Sequence, residues 1–309
     1  MKNEQNLSEI TENYLNFCRY QKRLDDKTLK AYKIDLKQFN TKIGIKNIPE
    51  ITSNVLENYI VSLHQTYKPK TVKRKIASLK AFFHYMEYRD IIEKNPFNKI
   101  QLKFRSPVTL PKTISLHTIE ALLSTMYAQR RLTQTPYRQK NLLRDIAVIE
   151  LLFSTGMRIS ELCNLSENDI DLYDRTILIY GKGSKERCIH IGNDDVINIL
   201  TEYKNTFQQE INKCGYFFAS QTGHAMSDQS VRRMIKKHSE LAAIETHITP
   251  HMFRHTFATS LLEADVDIRY IQEMLGHSSI NITEIYTHVA MSKQRDILTT
   301  KHPRKNFKL

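Results

Sequence analysis

The sequence predicts a mainly α-helical protein of two domains, with one small β-sheet in the second. Three observations carry this expectation. The chain has 309 residues, enough for two domains of about 150 residues, each with a sizeable core. Its 8 glycines and 8 prolines are too few for the dense turns of a β-sandwich or barrel. Apolar residues recur at helical spacing in most segments, and only one segment has two β-branched runs around a glycine-rich turn. With 40% hydrophobic and 26% charged residues, the chain reads as an ordinary globular protein rather than a disordered one.

The elements follow in order. Asp25 and Asp26 precede KTLKAYKIDLKQF, where Leu29, Tyr32, Leu36 and Phe39 repeat at helical spacing behind an acidic N-cap. Pro69 and Thr71 open a second helix. In it Val72, Ile76, Leu79, Phe83 and Met86 form an apolar stripe, and Lys70, Lys73, Arg74 and Lys80 take the other side. Residues 1–100 are therefore expected to form a small helical bundle with one cationic face. Residues 101–113 contain Lys103, Arg105 and two prolines and lack a sustained period, so they read as a basic linker. The second domain, 114–309, starts its helical pattern at LHTIEALLSTM. Residues 127–142 are polar and basic and read as a loop or a frayed helix end. IAVIELLF reads as a buried helix that Gly156 stops in the left-handed conformation. RTILIY and KERCIHI flank GKGS as a β-hairpin. Pro250 opens HMFRHTFATSLLE, DIRYIQEML stops at Gly276, and Ser279 can cap a last helix, INITEIYTHV.

Charge narrows the classes of partner. The net charge is +13, and residues 1–113 hold 22 Lys/Arg against 11 Asp/Glu, whereas the remainder holds 24 against 22. A basic first third on a nearly neutral remainder suits either a solvated basic surface or a polyanion partner, nucleic acid first among them. Cys18, Cys163, Cys188 and Cys214 stand far apart without a CxxC pair. That disfavours a disulfide framework and a zinc knuckle and points to a reducing, cytoplasmic setting. MKNEQNLSEI has no secretory apolar core, and no apolar run approaches the ~20 residues that span a bilayer. No membrane partner is expected.

Several polar residues could carry chemistry. His251 and Arg254 are i,i+3 neighbours on one helix face, where an imidazole and a guanidinium can donate jointly to one phosphate. His255, four residues from His251 and close to Phe257, reads better as a fold-locking residue. His247, His251 and His255 also have zinc-ligand spacing, but Met252 stands where a zinc protease would need Glu, so no metal is expected. Arg158 follows the Gly156 stop with Glu161 three residues on. The two form either a plain ion pair at a helix start or a carboxylate that orients a guanidinium. Lys182, between two glycines at the hairpin tip, is either a bland turn residue or an arm that reaches a groove; no Walker loop surrounds it. Tyr286 lies nine positions after His277. A phenol with a pKa near 10 attacks only where its surroundings stabilise the developing charge.

Taken together, TGMRISEL, GKGSKER, PHMFRHTFATSLL, LGHSSI and IYTHV make residues 143–290 resemble the tyrosine recombinases, or phage integrase family, and most closely its two-domain Xer-like members. The motifs stand in family order, with Arg158 to Lys182 at 24 residues, Arg254 to His277 at 23, and His277 to Tyr286 at 9. The first domain resembles the family only in type, as its SAM-like core-binding module.

This resemblance implies a site-specific DNA recombinase that needs no metal and no cofactor. Tyr286 would attack a backbone phosphate, giving a 3′-phosphotyrosyl link and a free 5′-hydroxyl. Arg158, Arg254, His251 and His277 would stabilise the phosphoryl oxygens, Lys182 would protonate the leaving oxygen, and Glu161 would support them. Lys70, Lys73, Arg74, Lys80, Lys103 and Arg105 are the expected DNA contacts. The implied assembly is a homo-oligomer, a tetramer on two duplexes, in which the segment after Tyr286 docks on a neighbouring copy; accessory DNA-bending proteins are compatible with it. Residues 127–142 look longer than in compact Xer-like members, and with no arm-binding domain expected before the helical module, the larger phage-type integrases are disfavoured. The alternative with the same chemistry is a type IB topoisomerase, which reseals without exchange. A non-catalytic DNA-binding regulator is the third reading, disfavoured by the intact polar set.

Overall fold

The computed structural model describes residues 6–45, 48–101, 111–181, 186–220 and 222–276. The chain divides into two compact units, Met1–Val108 and Thr109–Leu309.

Among its described residues the first unit contains four α-helices, α1 (Leu7–Tyr20), α2 (Asp26–Ile43), α3 (Ser53–Thr66) and α4 (Pro69–Tyr88). Asp25 starts α2, its carboxylate accepting from the Thr28 N–H at 2.8 Å, which satisfies one of the orphan donors of a helix start. Pro69 occupies the first turn of α4, where its missing N–H costs nothing. Val72, Ile76, Leu79, Phe83 and Met86 are all buried, as their spacing requires. Rings dominate this core: Phe39, Phe82, Phe83, Tyr14 and Tyr85 lie in one cluster, with Tyr14 and Phe82 centroids 5.2 Å apart.

Lys70, Lys73, Arg74 and Lys80 are exposed on α4. Lys75, between them, is buried, and its ammonium lies 3.0 Å from the buried Asp35 carboxylate of α2. Asp35 also accepts from Ser78 at 2.9 Å and pairs with Arg74. The polar side of α4 therefore includes one internal ion pair, fully bonded as a buried charge must be.

Among its described residues the second unit is mainly helical, with one three-stranded antiparallel sheet. α5 (Leu116–Leu132), α6 (Pro136–Thr155) and the short α7 (Ile159–Cys163) precede β1 (Ile170–Asp171), β2 (Thr176–Tyr180) and β3 (Glu186–His190). α8 (Asp194–Cys214), α9 (Asp228–Leu241), α10 (Pro250–Glu263) and α11 (Ile268–Leu275) follow. The sheet order is β1-β2-β3, with Ile177 opposite Ile189 in the hairpin. α6 is the axis of the core: Leu143, Ile146, Val148, Ile149, Leu151 and Leu152 are all buried.

Residues 127–142 are a correction to the sequence reading. They are not a loop, because α5 continues to Leu132 and α6 restarts at Pro136. Their polar character comes from helix faces that pair rather than from irregular backbone. The Tyr127 hydroxyl donates to Glu150 at 3.0 Å, Arg130 grips Glu202 of α8, and Lys140 meets Glu210 of α8 at 2.6 Å. Such a face shows no apolar period, so the sequence pattern falls silent there.

Gly156 ends α6 with φ 60°. A Cβ there would stand 2.5 Å from Phe257 Cδ1 of α10 and 3.1 Å from Leu275 Cδ2 of α11. The end of α6, α10 and α11 thus converge on a residue without a side chain. Gly156→Ala combines a left-handed conformation, costing about 1–2 kcal/mol, with overpacking of about 1–3 kcal/mol. The expected loss of roughly 2–5 kcal/mol will appear as a lower urea midpoint at unchanged slope.

Candidate active site

Around Gly156 the backbone brings together residues far apart in sequence. After the helix stop the chain is extended at Arg158, which is the N-cap of α7. Glu161, in the first turn, folds back: its carboxylate accepts from the Arg158 N–H at 2.8 Å and from Arg158 Nη1 at 2.7 Å. The Thr–Gly–Met–Arg turn therefore sets both side chains in one place, with Arg158 a third exposed and Glu161 buried.

Arg254 projects from α10 into the same region and is buried. Its Nη1 donates to the Gly156 carbonyl at 2.9 Å, and its Nη2 to the Leu275 carbonyl at 2.7 Å. Leu275 is the last residue of α11. One planar guanidinium thus ties the turn before Arg158 to the C-terminal end of α11, where carbonyls lack intrahelical donors and the helix dipole favours a cation. His251 lies one turn earlier on α10 and is exposed.

His255 faces inward on α10. Burial, with the His251 and Arg254 charges adding to it, pushes its pKa down to about 4, so it is neutral near pH 7. A neutral, half-buried imidazole among cations agrees with a fold-locking residue rather than a charged donor.

Sequence reasoning passed over Arg187. It stands on β3, almost buried, and donates from Nη2 to Glu161 Oε2 at 2.7 Å, from Nη1 to Glu161 Oε1 at 3.1 Å, and from Nε to the Met274 carbonyl at 2.8 Å. The missed signal is positional. Arg187 and Ile189 share one face of β3 and Ile189 is buried, so a charge at 187 points inward and demands partners. Burial works to raise the Glu161 pKa, but the hydrogen bonds from Arg187 and Arg158 and the Arg187 charge outweigh it and hold the carboxyl below its usual value. Glu161 is therefore an anion clasped by two guanidinium groups.

Of the seven site residues read from the sequence, Arg158, Glu161, Arg254 and His251 lie on this turn and on α10. Lys182, His277 and Tyr286 lie outside the described residues, as do Lys103 and Arg105 and the expected helix after Ser279. Among the described residues no group of three or more His, Cys, Asp or Glu side chains could hold a metal ion. No described helix is long and apolar enough to cross a membrane.

Two family models match the chain, the phage integrase family over residues 118–293 and the phage integrase N-terminal SAM-like domain over residues 11–89. A tyrosine recombinase of Agathobacter rectalis is 65% identical, covering 98% of this chain and 99% of its own. The tyrosine recombinase XerD of Listeria monocytogenes is 34% identical over 96% of this chain and all of its own. The crystal structure of the XerH site-specific recombinase bound to palindromic difH substrate, a post-cleavage complex, superposes with a TM-score of 0.74 at 23% identity, over 95% of this chain and 84% of that one. This last likeness is one of fold. The clustered arginines and the near-complete alignment with curated relatives agree, and the chain belongs to the phage integrase family, as one of its tyrosine recombinases.

Proposed function

We propose that this chain cuts and rejoins double-stranded DNA at a specific recombination site through a 3′-phosphotyrosyl intermediate, with Tyr286 as nucleophile and Lys182 as general acid. The observation that carries the reading is the anchoring of Arg254 on the Gly156 carbonyl, two residues from Arg158. Two guanidinium groups from separate parts of the chain are thereby held on one turn.

The chemistry follows from charge. Phosphoryl transfer builds negative charge on the non-bridging oxygens, and preorganised cations stabilise it without reorganisation. Arg158 and Arg254 supply two cations, and His251 and His277 supply further donors. As the Tyr286 hydroxyl loses its proton to solvent and its oxygen bonds to phosphorus, the bond to the 5′-oxygen breaks and that oxygen takes a proton from Lys182, which regains one from solvent. The reverse attack, by a 5′-hydroxyl of a partner strand, regenerates a phosphodiester and frees the tyrosine. One phosphoester replaces another, so no outside energy source is needed.

In this reading residues 1–100 form the core-binding domain, 101–113 the linker and 114–309 the catalytic domain. Lys70, Lys73, Arg74, Lys80, Lys103 and Arg105 contact backbone phosphate, and a tetramer of this chain joins two duplexes in the cytoplasm. The exposure of Lys70, Lys73, Arg74 and Lys80 along one helix supports the phosphate role. Lys73→Ala will weaken binding about equally on all sequences and lower the slope of log affinity against log salt by about 1. Titrations of a labelled duplex at several salt concentrations measure both.

A nicked suicide duplex carrying the recombination site tests the cleavage itself. The short 5′-ended fragment diffuses away after cleavage, so the protein remains on the 3′ end as a species stable to detergent. The site is found by mapping covalent ends across the host chromosome. A protein that binds this duplex tightly and never becomes attached is a regulator rather than a recombinase. One that relaxes arbitrary supercoiled plasmid efficiently is a topoisomerase.

A further inference from the structure

We propose that Arg187 is a positioning residue for strand cleavage, which occupies the Glu161 carboxylate so that Arg158 stays available to the phosphate. The proposal rests on the cleavage reading above and deepens it. Glu161 is one anion between two guanidinium groups, so the trio keeps a net positive charge. The two arginines are not equivalent. Arg187 is 8% exposed and contributes three N–H donors to fixed partners, whereas Arg158 is 32% exposed. The inner arginine holds the carboxylate, and the outer one faces the side from which a polyanion arrives.

Arg187 also spans segments. Its Nε holds the Met274 carbonyl at the end of α11, two residues before Gly276. Gly276 has φ 64°, and a Cβ there would stand 3.1 Å from Arg187 Cδ and Nη1. The glycine thus permits both the left-handed helix stop and the close approach of the guanidinium. Five residues before Arg187 the sequence has Lys182, and directly after Gly276 it has His277. Without Arg187, both carboxylate oxygens of Glu161 turn to Arg158, the pair becomes neutral, and the α11 carbonyl loses its donor.

The test compares Arg187→Gln, Arg187→Lys, Glu161→Gln and the Arg187→Gln/Glu161→Gln double variant in the full chain. Single-turnover cleavage of the nicked duplex is read alongside DNA affinity and thermal unfolding. Arg187→Gln should cleave roughly 10- to 100-fold more slowly, the size expected for a misplaced reacting group, with affinity within about threefold of wild type. Arg187→Lys keeps the charge but not the fork, and should also cleave about 10-fold more slowly. The double variant should cleave faster than Arg187→Gln, because an amide no longer competes for Arg158. A purely structural role predicts the opposite, since each change removes a contact. Wild-type rates in Arg187→Lys, or a double variant no faster than Arg187→Gln, overturns the proposal. Wild-type protein that forms no adduct overturns the cleavage reading and this one with it.

Discussion

Tyr286→Phe is expected to abolish covalent capture of the nicked duplex while leaving its affinity for DNA within about twofold of wild type. The substitution removes one oxygen and keeps the ring, so packing is preserved and only the nucleophile is lost. Removing a residue that forms the covalent bond costs roughly 10⁶-fold in well-studied hydrolases, which puts adduct formation below detection. The chain has 15 tyrosines, so the result discriminates. Tyr270 on α11 and Tyr180 at the end of β2 are exposed at 64% and 52% and belong to segments next to the arginine cluster. An adduct that persists in Tyr286→Phe, mapped by peptide digestion to either of these, would reassign the nucleophile and leave the arginine cluster in its role. An adduct mapped to a residue other than tyrosine would remove the tyrosine chemistry. Binding and cleavage must be measured on the same preparation, since a loss of both reports a folding defect.

The features that sequence made legible are those with a local physical cause. The α4 stripe follows from helical spacing, the end of α6 from a glycine that alone takes φ 60° cheaply, and the hairpin from β-branched runs around a turn. What it hid are features whose cause is tertiary. Lys75 sits among cations of α4 and looks solvated, but its ammonium is buried because Asp35 arrives from α2. Residues 127–142 look like a loop because their helix faces are satisfied by Glu150, Glu202 and Glu210 rather than by apolar contacts. The site divides in the same way. Arg158 and Glu161 are three residues apart and one turn relates them, so their pairing follows from local geometry. Arg254 shows its anchor only once α6 and α11 have converged, and Arg187 shows its role only once Glu161 has folded back to meet it. The resemblance named one residue that holds another, Glu161, and passed over the second, Arg187.

Lys182→Ala should slow cleavage of an ordinary duplex by roughly 10²- to 10⁴-fold, the usual contribution of a general acid, and most of that loss should return when the leaving 5′-oxygen is replaced by sulfur. The reasoning is one of leaving-group basicity. An alkoxide is the base of a group whose pKa is close to that of water, about 15.7, whereas a phenol has a pKa near 10 and a thiol near 8.5. Tyrosine therefore expels an alkoxide only if that oxygen is protonated as its bond breaks, but it expels a thiolate unaided. In sequence, Lys182 falls between the end of β2 at Tyr180 and the start of β3 at Glu186, the strand that carries Arg187. Arg158→Ala is the matched control: its loss falls on the non-bridging oxygens, so sulfur at the leaving position should restore little. Equal rescue of both variants would mean that the sulfur substrate is merely more reactive. Rescue of neither would give the proton to another donor, with His251, exposed one turn before Arg254, the next to substitute.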